Sequence, residues 1–163
     1  MEDELQVELK GQRRVLVRPS TSSDGAGFRA LFHQLTDRDR YTRFSRKVRG
    51  LSDRDVQRLC NLNFDNEVAF VAAAGERENP QIVAQACYFS DPGTNLAETA
   101  FMVQPQWQGS GLGTGLQKRM AEILADNEKM IRLARAGAGR TDGAEGSVSV
   151  EHSGSTVRVT TLF

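Results

Sequence analysis

The sequence predicts an α+β protein built on a mixed, mostly antiparallel sheet with helices on its faces. Three observations carry that expectation. Apolar, β-branched-rich runs at Glu67 to Ala74, Ile82 to Phe89 and Leu96 to Val103 follow one another across turn signals. Apolar residues at helical spacing lie on both sides of this block. Two further alternating runs end the chain, and strands interspersed with helices in this order form a layered sheet rather than a bundle.

Val7 to Leu9, the turn Lys10-Gly11-Gln12 and Val15 to Val17 read as strand, turn and strand, stopped by Pro19. Ser22, Ser23 and Asp24 then offer cap oxygens to a helix with Phe28, Leu31, Phe32 and Leu35 on its inner face. A second helix starts near Ser52, where Asp55 three residues on resembles a capping box with aspartate in place of Glu or Gln. Val56, Leu59 and Cys60 form its apolar side. The turn-rich GERENPQ joins the first two central strands as a hairpin, and Asp91 to Asn95 leads into the third. A helical pattern extends from about Thr114 to Arg135, RAGAGRTDGAEG is loop-like, and Ser147 to Glu151 with Thr156 to Leu162 make a closing hairpin.

At 163 residues the chain is most simply a single domain, 1–163, with a core of its own. Lysine plus arginine and aspartate plus glutamate both number 21, so no global field draws it to nucleic acid or anionic lipid. The run Arg38 to Arg49 holds six basic residues around Tyr41 and Phe44 and reads as a solvated helical face or the wall of an anion site. As a nucleic-acid patch it would demand steeply salt-dependent binding, which net neutrality argues against. The longest apolar run, Val68 to Ala74, falls short of the roughly 20 residues of a membrane span, and the acidic start MEDEL is not a signal peptide; a cytoplasmic location is expected. Cys60, Cys87, His33 and His152 are isolated, giving no disulfide framework and no metal site.

The densest chemical signal is VQPQWQGSGLGTGLQ, with Gly109, Gly111, Gly113 and Gly115 at alternate positions after a strand. A dinucleotide GxGxxG fails, because Thr114 and Leu116 stand where a third glycine belongs; a P-loop fails for want of the glycine-lysine pair. What remains is a bare backbone opening onto a helix. Glycines let successive N–H groups converge, and the positive end of the helix dipole favours an anion such as a pyrophosphate.

Gln108-Gly109-Ser110-Gly111-Leu112-Gly113 resembles the Q-x-x-G-x-G acetyl-CoA signature of the GNAT superfamily of N-acetyltransferases. VLVRP, RYTRF, LSDRDVQRL, AETAFMV and ADNEKM extend the likeness over most of the chain, to the GNAT domain of bacterial Pat-type protein lysine acetyltransferases. The resemblance implies a GNAT fold. It implies acetyl-CoA with its pyrophosphate on Gln108, Gly109, Ser110, Gly111, Leu112, Gly113 and Thr114, and with its pantetheine arm alongside Met102 and Val103. Asn127 matches a cofactor-holding asparagine, and Glu98 matches the general base of these enzymes. Arg40, Tyr41 and Arg43 would border the acceptor side or the phosphates.

The acceptor would be a protein lysine or a small amine. Its ammonium must lose a proton before attack, and Glu98 is the one titratable group on its strand; the alternative is a glutamate that faces water or pairs with an arginine. A backbone N–H near Val103 would stabilise the oxyanion. The sequence departs from the family in one respect. GLGTGLQKRMAEILADNEKM leaves too little chain for both a crossover helix and the parallel strand that follows it. A natural deletion, an engineered gap and one continuous helix over Thr114 to Arg135 all remain open. A shortened sheet leaves an edge that invites a homodimer, and a catalytically weak CoA-binding regulatory module is the competing function.

Overall fold

The computed structural model describes residues 4–44, 46–60, 67–76, 78–91, 96–120, 122, 148–153 and 156–162. Seven strands form one sheet in the order β1-β2-β3-β4-β5-β7-β6. They are β1 (Leu5–Leu9), β2 (Arg13–Pro19), β3 (Glu67–Ala74), β4 (Gln81–Asp91), β5 (Leu96–Val103), β6 (Val148–Ser153) and β7 (Thr156–Leu162). Every pair between these strands is antiparallel. The α+β expectation and each expected hairpin are met, with strand ends moved by at most two residues.

Helices α1 (Gly25–Gln34), α2 (Asp37–Phe44) and α3 (Asp53–Cys60) cover one face, and α4, residues 112–120, covers the other. Alternation along the strands divides the core accordingly. Val71, Ile82 and Met102 pack with Phe28, Leu31, Phe32, Val56 and Leu59, whereas Phe70, Ala84, Phe101 and Val103 pack with Leu112, Leu116 and Met120. The expected helix from Thr114 begins two residues earlier; its continuation toward Arg135 lies outside the described residues.

Local chemistry explains where the helices start. The box at α3 forms as expected: Ser52 N donates to Asp55 Oδ2 at 3.0 Å, and Asp55 N donates to Ser52 Oγ at 3.2 Å. The N-cap residue of α1 is Asp24, one of the three expected, without a side-chain cap bond of its own; Thr21 caps the 3-10 turn Ser22–Asp24 that leads into the helix. Thr21 and Asp24 close a capping box around a 3-10 turn, with Thr21 N donating to Asp24 Oδ2 at 2.7 Å. Asp24 also receives a bidentate pair from Arg18, at 2.8 and 2.7 Å.

Burial works to raise the Asp24 carboxyl, but the hydrogen bonds from Arg18 and Thr21 and the Arg18 charge outweigh it and hold it below the usual carboxylate range. A lowered folded-state pKa contributes stability above the unfolded value near 3.9 and loses it as pH falls through the folded value. Asp24→Asn is therefore expected to cost about 1–3 kcal/mol at pH 7. In urea titrations the gap between wild type and variant should narrow by pH 3. A constant gap would mean that the carboxylate charge contributes nothing.

Candidate active site

The site is assembled where β5 ends. Gln104 N donates to Val83 O at 2.9 Å, tying the strand exit to β4, and Pro105–Trp107 forms a 3-10 turn. Ser110 Oγ donates to Trp107 O at 2.5 Å, and Leu112 N reaches the same hydroxyl at 3.4 Å. Gly109 and Gly111 sit at φ 72° and 92°, a region nearly closed to other residues. A Cβ built at either would meet no protein atom within 4 Å, so the space over the loop is open. Gly115 N closes the first turn of α4 on Gly111 O at 2.9 Å. Among the described residues, the amides of Gly109, Ser110, Gly111, Gly113 and Thr114 find no backbone acceptor. Five free donors at a helix N-terminus form a cradle suited to a diphosphate.

The expected cofactor residues divide by role. Gln108 Nε2 donates to Val103 O at 3.2 Å and approaches Asp39 Oδ2 at 3.4 Å, locking the loop to both β5 and α2. Its side chain is thus a brace between loop, strand and helix. Leu112 and Met102 are 1 % exposed and Val103 4 %, so side chain and main chain of all three are covered. Asn127 lies outside the described residues.

Strand register sets what lies beside β5 upstream of the loop. β5 pairs with β7 from Leu96↔Leu162 to Thr99↔Val159 and no further, although β5 continues to Val103 and β7 reaches back to Thr156. The two strands therefore part after Thr99. Ala100 to Val103 keep β4 on one side and leave the other edge unpaired among the described residues. An edge of this kind is where an extended arm adds as an extra strand, and here all four residues are buried, 1–6 % exposed. Glu98 sits one residue before the split, opposite Phe89 on β4 and Thr160 on β7, at the strand parity of Ala100 and Met102.

The basic run supplies less to the site than its charge suggests. Arg40 donates to Phe32 O at 3.2 Å and His33 O at 3.1 Å, closing the end of α1, and lies over the Phe32 ring. Arg43 turns inward, its Nη2 donating to Cys87 Sγ at 3.1 Å, while Tyr41 is 60 % exposed. Burial, with the Asp24 charge second, pushes the Cys60 thiol up, and both cysteines are buried, which suits neither to nucleophilic work. Among the described residues no cluster of His, Cys, Asp and Glu could hold a metal, and no helix is long and apolar enough to cross a membrane.

A glycine cradle at the exit of a central strand, with that strand parting from its neighbour just upstream, defines the acyl-CoA N-acyltransferase class of fold. The family model for the acetyltransferase (GNAT) family matches residues 30–140. The chain belongs to the GNAT family. It is 24 % identical over 119 residues to an acetyltransferase of Pseudomonas aeruginosa, covering 73 % of this chain and spanning 64 % of that relative. The GNAT domain of S. lividans PAT superposes with a TM-score of 0.70 at 23 % identity, over 96 % of this chain and 95 % of that one. A cAMP-binding acyltransferase from Mycobacterium smegmatis reaches 0.50 at 14 % identity, over 98 % of this chain and 47 % of that one. At these identities the two structures speak to fold alone.

Proposed function

We propose that this chain transfers the acetyl group of acetyl-CoA to a primary amine, with a protein lysine ε-amine as the acceptor that the Pat-type resemblance favours. The observation that carries the reading is the continuity of the amides of Gly109, Ser110, Gly111, Gly113 and Thr114, which have no backbone acceptor, with the edge of Ala100 to Val103, which has no strand partner among the described residues. A diphosphate on the first leaves the pantetheine arm running antiparallel to β5, and the thioester arrives where β5 and β7 separate. Glu98, one residue upstream, is the base that takes the acceptor's proton. The neutral amine then attacks the thioester carbonyl; a main-chain N–H near Val103 steadies the oxyanion, and coenzyme A leaves as the thiol. No side chain is acylated. The cytoplasm is the compartment in which acetyl-CoA and protein lysines meet, in keeping with the composition.

Titration calorimetry with acetyl-CoA, followed by intact-mass detection of acetyl transfer to a lysine peptide, tests both halves of the reading. Saturable binding with peptide acetylation supports it, and absence of binding overturns it. A CoA-binding regulatory module is the second reading, favoured by one observation: the wall facing β5 is the antiparallel strand β7 rather than a parallel crossover strand. Tight binding without transfer to any amine selects that reading.

A further inference from the structure

The cofactor cradle has a neighbour that the sequence pattern does not reveal. Strand registers place Val103, Ala84, Ala72 and Val17 level across the sheet. The β1–β2 hairpin runs four residues past that line, from Val17 to Arg13, an overhang of roughly 13 Å. The segment after β5 travels along this overhang. Lys10 N donates to Ser110 O at 3.2 Å, inside the glycine cradle itself. Arg13 Nη1 donates to Gln106 O at 2.6 Å, and its guanidinium lies 5.1 Å from the centroid of the Trp107 ring. Gly11 and Gln12, at φ 75° and 59°, turn the chain between the two basic residues.

Both cations are exposed, and neither is in an ion pair among the described residues. Arg14, by contrast, stands opposite Glu8. The Arg13 contacts hold its planar fork beside the loop and leave most of its N–H donors without an acceptor among the described residues. Neutral amides suffice for a diphosphate diester. A phosphomonoester near pH 7 carries close to two charges and calls for cations, with Arg as a fork and Lys as a point charge.

We infer that Lys10 and Arg13 bind the ribose 3′-phosphate of coenzyme A and make the site selective for the 3′-phosphorylated cofactor. The inference rests on the cradle reading above, and the test separates the two. Calorimetry compares CoA with 3′-dephospho-CoA on the wild type, Lys10→Gln and Lys10→Gln/Arg13→Gln. The Lys10 side chain makes no hydrogen bond or ion pair among the described residues, so its variant keeps the fold even if loss of the Arg13–Trp107 contact loosens the double variant. The wild type is expected to bind CoA at least tenfold tighter than dephospho-CoA. Lys10→Gln should reduce that ratio about threefold and the double variant bring it near one, with dephospho-CoA affinity unchanged throughout. A wild-type ratio near one, or a ratio preserved in both variants, overturns the inference while leaving the cradle intact. Failure of both ligands to bind the wild type overturns the cradle reading and this inference together.

Discussion

Glu98→Gln is expected to lower acetyl transfer at neutral pH by about 10²-fold or more, with little change in acetyl-CoA affinity. Free lysine, with a pKa near 10.4, is almost entirely ammonium at pH 7, so a positioned base determines how often the amine can attack. On the reading proposed above Glu98 takes that proton: it immediately precedes the point where β5 leaves β7, on a strand held by β4 throughout. The measurement is kcat/KM against pH with a lysine peptide. The wild type should show an acid limb set by the base; in the variant the rate should climb with pH as the free amine population rises. A wild-type profile in the variant removes Glu98 from the chemistry.

Gly111→Val is expected to weaken acetyl-CoA binding about 10²-fold, equivalent to about 2.7 kcal/mol. Two effects combine. A branched residue at φ 92° is strained by about 1–3 kcal/mol and drives the backbone to relax, which turns the cradle amides apart. Its side chain also enters space that holds no protein atom within 4 Å of the Cβ, the volume assigned to the phosphates. Gly115→Ala is the control. Gly115 has ordinary backbone geometry and the same open surroundings, and lies one turn into α4. Alanine there should leave cofactor affinity unchanged and add about 0.5–1 kcal/mol of stability. Equal affinity in Gly111→Val and wild type would show that the loop holds no ligand.

Features carried by local chemistry could be read from the sequence. Ser52 and Asp55, the turn GERENPQ, and the apolar runs of β3, β4 and β5 announce themselves within a few residues, and the glycine spacing marks the loop after β5. α2 is less legible because DRDRYTRF has no apolar stripe; it is pinned by the burial of Asp39 and the packing of Phe44, contacts made with distant parts of the fold. Arg43 belongs to a run that reads as solvated, yet it points at Cys87, 44 positions away. The docking of Lys10 on Ser110 is a main-chain bond between remote segments, so no residue type signals it. The same holds for β7, whose place beside β5 depends on register across the sheet rather than on any pattern in its own seven residues.

That register sets an order of events in folding. β1 through β5 meet across short connections or helices, but Thr99 must wait for Val159, 60 positions further along the chain. Closing so long a loop is slow and entropically costly. During synthesis, the glycine loop can therefore be in place before the strand beside β5 has left the ribosome, and on the proposed reading competence to seat the thioester is acquired last.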